Sequence, residues 1–221
     1  MKRLQKPLIP RYSIAPGIIT LLICSVTDYP VMLLTQGRTH FSLELPIDRW
    51  IPLWTPSAVI YFLAYFQWFL AFLFILRQEK QTVYRLLSSE WLPKLVAVVI
   101  FIVFPTQFIG RQSIEGTGIF DRFLALIWSC DDPPVNLFPS LHCLESWFSF
   151  RAISQCRGVP KWFNIVHLLF SILVFASTVL TKQHFIIDVP AGILLCELGF
   201  LLTKKWYPAK LYDLFLKNGA N

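Results

Sequence analysis

The chain has 221 residues, 55% of them hydrophobic and 15% charged, with twenty Lys and Arg against thirteen Asp and Glu for a formal charge of +7. Soluble domains carry about 25% charged residues, so this composition excludes a water-soluble domain and points to a membrane protein with a mean hydropathy of +0.56. The basic residues fall in short clusters between apolar runs and form no continuous stripe, which argues against nucleic-acid binding.

A membrane-spanning helix needs about 20 mostly apolar residues. Six segments answer to that description: Ala15–Leu34, Trp54–Leu76, Trp91–Phe108, Pro139–Ser154, Phe163–Thr181 and His184–Thr203. Met1–Ile14 is basic, but no small-residue cleavage site follows the apolar run, so the first segment is expected to be a retained span. It carries Asp28 beside Pro30, a pairing expected to cap an irregular turn. The fourth holds His142, Glu145 and Arg151, and the sixth holds Glu197. Glu145 is expected to tune His142 or to be satisfied by a hydroxyl or by Arg151; His40 and His167 are expected to be structural. Residues 204–221 mix Lys204, Lys205, Lys210 and Lys217 with aromatic side chains and suit an amphipathic helix on an anionic inner leaflet. The expected fold is therefore an all-α, polytopic bundle of six transmembrane helices, one integral-membrane domain over residues 1–221.

Orientation follows from the positive charges. With a cytoplasmic N-terminus, fifteen of the twenty Lys and Arg fall on the cytoplasmic side, Lys94 among them. Both termini are then cytoplasmic, and residues 110–138 and 181–183 face the extracytoplasmic side. Five cysteines (Cys24, Cys130, Cys143, Cys156, Cys196) lack metal-ligand spacing and imply neither a zinc site nor a disulfide framework.

Ionisable residues at membrane depth are costly, so those present are candidates for function. His142 and His184 lie 42 positions apart, yet this topology puts both at the outer ends of their spans. Before the first stands Asn136-Leu137-Phe138-Pro139-Ser140-Leu141-His142, where Ser140 suits a helix N-cap whose opening amides attract phosphate. Around the second stands Thr181-Lys182-Gln183-His184-Phe185-Ile186-Ile187-Asp188. A spacing of four puts His184 and Asp188 on one helix face, where the carboxylate fixes the imidazole tautomer and leaves the other nitrogen nucleophilic. Phosphoryl transfer also needs cations around the phosphate. Lys182, Arg111 and Arg122 are on the correct side.

These residues resemble the type 2 phosphatidic acid phosphatase superfamily, integral-membrane enzymes acting on lipid phosphates. Its P-S-x-H motif is matched by Pro139-Ser140-Leu141-His142, and its S-x6-H-x3-D motif by Ser177, His184 and Asp188. Leu141 and Thr178 stand where the commonest pattern has Gly and Arg, and the K-x6-R-P motif has no literal counterpart. The resemblance implies that His184 is the nucleophile, Asp188 its orienting partner and His142 the acid. Phosphate would be bound by Ser140 and nearby amides, with Arg111 and Lys182 taking the missing cationic role. The Phe-Pro-Ser-Leu-His and Thr-Lys-Gln-His wording is similar to the branch containing inositol phosphorylceramide synthases and sphingomyelin synthase-like proteins.

The expected activity is hydrolysis of a lipid phosphate or pyrophosphate through a phosphohistidine on the extracytoplasmic face, with no metal and no cofactor. Transfer of a phosphoryl-headgroup to a second lipid is the alternative. A proton-coupled transporter using His142, Glu145, His184 and Asp188 as a relay is the remote one.

Overall fold

The computed structural model describes residues 9–27, 29–130 and 133–205. The basic tail beyond 205 and Asp28 lie outside the described residues. Among the described residues eight α-helices follow one another: α1 (Arg11–Val26), α2 (Tyr29–Thr35), α3 (Ser57–Leu76), α4 (Lys80–Val103), α5 (Ile119–Cys130), α6 (Leu141–Ile153), α7 (Lys161–Leu180) and α8 (Asp188–Thr203). A 3₁₀ turn, Pro46–Arg49, lies between α2 and α3. The protein is all-α; two isolated bridges, Phe41 with Thr106 and Gln107 with Val135, tie loops together.

Among the described residues four helical stretches are long and apolar enough to cross a membrane: Arg11–Thr35, Ser57–Leu76, Lys80–Val103 and Lys161–Leu180. The 13-residue α6 and the 16-residue α8 are shorter. Three expected boundaries shift. The third span begins at Lys80 rather than Trp91, because Glu90 and Lys94 neutralise one another inside the bundle and no longer interrupt a buried helix. The first divides into α1 and α2. The sixth begins at Asp188 rather than His184, because residues 181–187 form turns held from outside the helix. The Thr178 carbonyl accepts from the amides of Gln183 and His184 at 3.0 and 3.1 Å, and Asp48 Oδ1 accepts from Ile186 N at 2.9 Å.

Helix α6 packs on α3, α4, α7 and α8, while α8 also packs on α4. The apolar core joins Ile75 and Leu76 of α3, Leu86, Leu87 and Trp91 of α4, Leu144 and Phe148 of α6, and Phe200 of α8. The outward faces keep large apolar side chains such as Leu22, Phe66, Val99, Leu169 and Leu198 exposed, as a surface in contact with lipid requires. Two glycines let α8 close on its neighbours. A Cβ on Gly192 would stand 2.4 Å from the Ser140 carbonyl oxygen, and one on Gly199 2.4 Å from that of Ser89.

Candidate active site

His142 is the second residue of α6. The loop before it is pinned by Thr106, whose Oγ1 accepts from the amides of both Leu137 and Phe138 at 3.0 Å. Asn136 takes a left-handed φ of 59° there, a conformation Asn adopts more readily than most residues. Ser140 caps α6, its Oγ accepting from Cys143 N at 3.3 Å. The close approach at Gly192 then presses the first turn of α8 onto this cap, and Ser140 N donates to the Asp188 carbonyl at 3.2 Å.

That contact carries His184 to His142. The two ring centroids lie 6.3 Å apart, and both histidines line one cavity of about 370 Å³. Asp188 Oδ2 sits 3.3 Å from His184 Nδ1 and accepts from Phe185 N at 2.9 Å. Because His184 precedes α8, the pair does not share a helix face as the spacing suggests; the carboxylate of the first helical residue folds back over the turn instead. A proton on Nδ1 donated to Asp188 leaves Nε2 with its lone pair.

His142 is held in a way the sequence reading did not anticipate. Tyr61 stacks on its ring at 4.1 Å between centroids, with Trp68 at 5.0 Å and Tyr65 at 5.6 Å edge-on. Tyr61 Oη lies 3.4 Å from Nδ1, while the buried Nε2 meets no hydrogen-bond partner. The three aromatic residues follow the i, i+4, i+7 spacing of one helix face, so a signal for the box was present in the sequence. Asp48 was also missed. Buried in the 3₁₀ turn, it accepts from Leu45 N through Oδ2 and from Ile186 N through Oδ1, fixing the His184 turn from the opposite side.

The expected cations divide. Arg111 donates from Nη2 to Gln183 Oε1 at 2.7 Å, next to His184, and its guanidinium lies 4.6 Å from the Trp128 ring. Lys182, expected to bind phosphate, is engaged as a strut in this structure. Its ammonium is buried and donates to the carbonyls of Asp48 at 3.1 Å and Ile51 at 2.5 Å, holding two loops together. Burial draws its pKa below the usual lysine range, against the opposing charges of Asp48 and Glu44. Arg122 is exposed on α5.

Glu145 pairs with neither a hydroxyl nor Arg151. Its carboxylate is 2.5 Å from Lys94 Nζ, which also meets Glu90 at 2.6 Å and Cys24 Sγ at 2.7 Å. Lys94 is thus a buried residue and not a cytoplasmic surface charge. Arg151 pairs with Glu197 at 2.6 Å, and Trp147 donates to the same carboxylate. His167 is buried, with its carbonyl accepting from Gln67 at 3.0 Å. Among the described residues, no three His, Cys, Asp or Glu side chains gather to hold a metal ion.

Residues 117–202 match the family model described as the PAP2 superfamily. No curated protein and no solved structure matches the chain. The matched segment contains both histidines, Asp188 and the helices that bring them together, and over those residues the chain is similar to the PAP2 superfamily.

Proposed function

We propose that the protein is a lipid phosphate phosphatase with six membrane spans, both termini cytoplasmic, and a histidine-based site open to the extracytoplasmic face. The observation that carries this reading is the 6.3 Å approach of His142 and His184 within one cavity, with Asp188 against His184 Nδ1. The topology draws on the charge balance, which stays fourteen to five in favour of the terminal side after Lys94 is set aside. For α6 and α8 to count as spans, the polar loops at their outer ends must sit in the interface.

In this reading His184 Nε2 attacks phosphorus in line. The N–P bond forms as the ester P–O bond breaks, and protonated His142 gives its Nε2 proton to the departing alcohol oxygen. Neutral His142 then takes a proton from water as that water attacks phosphorus, the N–P bond breaks, and inorganic phosphate leaves. Asp188 stabilises the positive charge that grows on His184. Arg111 reaches the phosphate by exchanging its bond to Gln183, and the opening amides of α6 supply further donors. With a phosphodiester lipid as donor and a second lipid's hydroxyl in place of water, the same steps leave the phosphoryl-headgroup on His184 and pass it to that hydroxyl. The test is phosphate release from lipid phosphates by purified protein in EDTA. His184→Ala and His142→Ala are each expected to lower kcat by about 10³-fold. Release by His184→Ala at the wild-type rate would overturn the proposal.

A further inference from the structure

The cavity that holds the histidines extends past them. Its lining includes Glu145, one helical turn below His142 and about 4.5 Å further along the axis of α6, together with Glu90 and Lys94 of α4 and Cys24 of α1. Lys94 Nζ donates to Glu90 and Cys24 and stands 2.5 Å from Glu145 Oε1 as an ion pair. Two carboxylates offer four oxygens and about eight lone-pair sites, so one ammonium leaves the group with acceptors in excess. Glu90 Oε2 shows the excess directly: it is buried, in a residue only 3% exposed, and meets no donor among the described residues. A structural ion pair needs one carboxylate for one ammonium, and a second one at membrane depth is costly unless a donor comes to it. The adjoining cavity is the place from which one can come.

Resting on the phosphatase reading, we infer that Glu90, Glu145 and Lys94 form a subsite for the alcohol part of the substrate, selecting lipid phosphates that carry a hydroxyl or ammonium beside the phosphate ester. With phosphate between the two rings and the alcohol oxygen leaving towards His142, the next carbons run along α6 to Glu145. A hydroxyl or amine on the carbon next to the ester then meets the carboxylates. The apolar chain continues past Leu21, Phe69 and Phe72, which line the same cavity.

The experiment compares 1-O-octadecylglycerol 3-phosphate, which has a free hydroxyl, with its 2-O-methyl ether, identical except for that donor. Sphingosine 1-phosphate, which carries an ammonium on the carbon next to the ester where the glycerol lipid has its hydroxyl, is the third arm and is expected to exceed the methyl ether in kcat/KM as the free hydroxyl does. Wild-type protein is expected to show a kcat/KM about tenfold or more higher for the free hydroxyl than for the ether. In Glu90→Met, which leaves a balanced Lys94–Glu145 pair, the ratio is expected to fall to within about twofold of one. A wild-type ratio near one overturns the inference and needs no variant to fold. A Glu90→Met protein of altered Tm with the wild-type ratio also overturns it, because only a structural role then remains. Equal release from both ethers leaves the phosphatase reading standing; release from none of the three removes both.

Discussion

Asp188 carries two tasks on one oxygen. Its Oδ2 holds the amide of Phe185 and the Nδ1 of His184, so the same atom shapes the turn and sets the imidazole tautomer. Asn in its place keeps the volume but weakens the acceptor and removes the charge that balances a developing imidazolium. Asp188→Asn is expected to lower kcat by about 10²-fold or more with little change in KM, measured by phosphate release under saturating lipid. At this scale the sequence is legible where contacts are local: Asp188, four positions after His184, meets its ring at 3.3 Å, though over a turn and not along one helix face. Lys182 shows where local reading stops. Two positions from a histidine it looks like a ligand, but a left-handed φ of 55° accompanies a side chain that bonds to Asp48 and Ile51.

At the level of elements, the meeting of α6 and α8 decides whether the histidines converge. Gly192 lets the Ser140 carbonyl come within 2.4 Å of where a Cβ would be, so Gly192→Ala must push the first turn of α8 away from the α6 cap. The expected cost is about 1–3 kcal/mol, read as a fall in Tm, with a parallel loss of activity because Asp188 and His184 move with α8. Gly17→Ala in α1 is the control. Its nearest neighbour would be Leu76 Cδ2 at 3.4 Å, an ordinary contact, and helix propensity makes that change neutral or slightly stabilising. Hydropathy located α3 and α7 closely, since both are continuous apolar runs. It misjudged the start of α4 because a window average counts Glu90 and Lys94 as interruptions, whereas in the folded chain they neutralise each other. It missed α5, whose Asp121 and Arg122 break the apolar run; that helix is held by Asp121, which accepts from Gly118 N at 2.9 Å and Thr55 Oγ1 at 2.7 Å.

For the whole molecule, the question is which side of the membrane the histidines face. Ser113 lies in the loop between α4 and α5, and Lys204 follows α8. In a background with Cys130, the exposed native thiol, replaced by Ala, Ser113→Cys is expected to react with a membrane-impermeant maleimide in intact cells. Lys204→Cys should react only after permeabilisation. The reverse pattern would put the site on the cytoplasmic face. Charge distribution carried this expectation because sidedness follows the number of Lys and Arg in the loops and tolerates the loss of Lys94 from the count. The aromatic box around His142 and the support of the His184 turn by Asp48 are different. They join residues 81 and 138 positions apart, and no local pattern records such a pairing.

The account's central claim is a covalent phosphoryl group on His184. Protein incubated with a lipid phosphate labelled with ³²P and quenched in base retains label through a phosphoramidate bond that is stable in alkali and released by acid. Wild-type protein is expected to give this acid-labile label and His184→Ala none, while label of equal intensity in His184→Ala would contradict the assignment of the nucleophile.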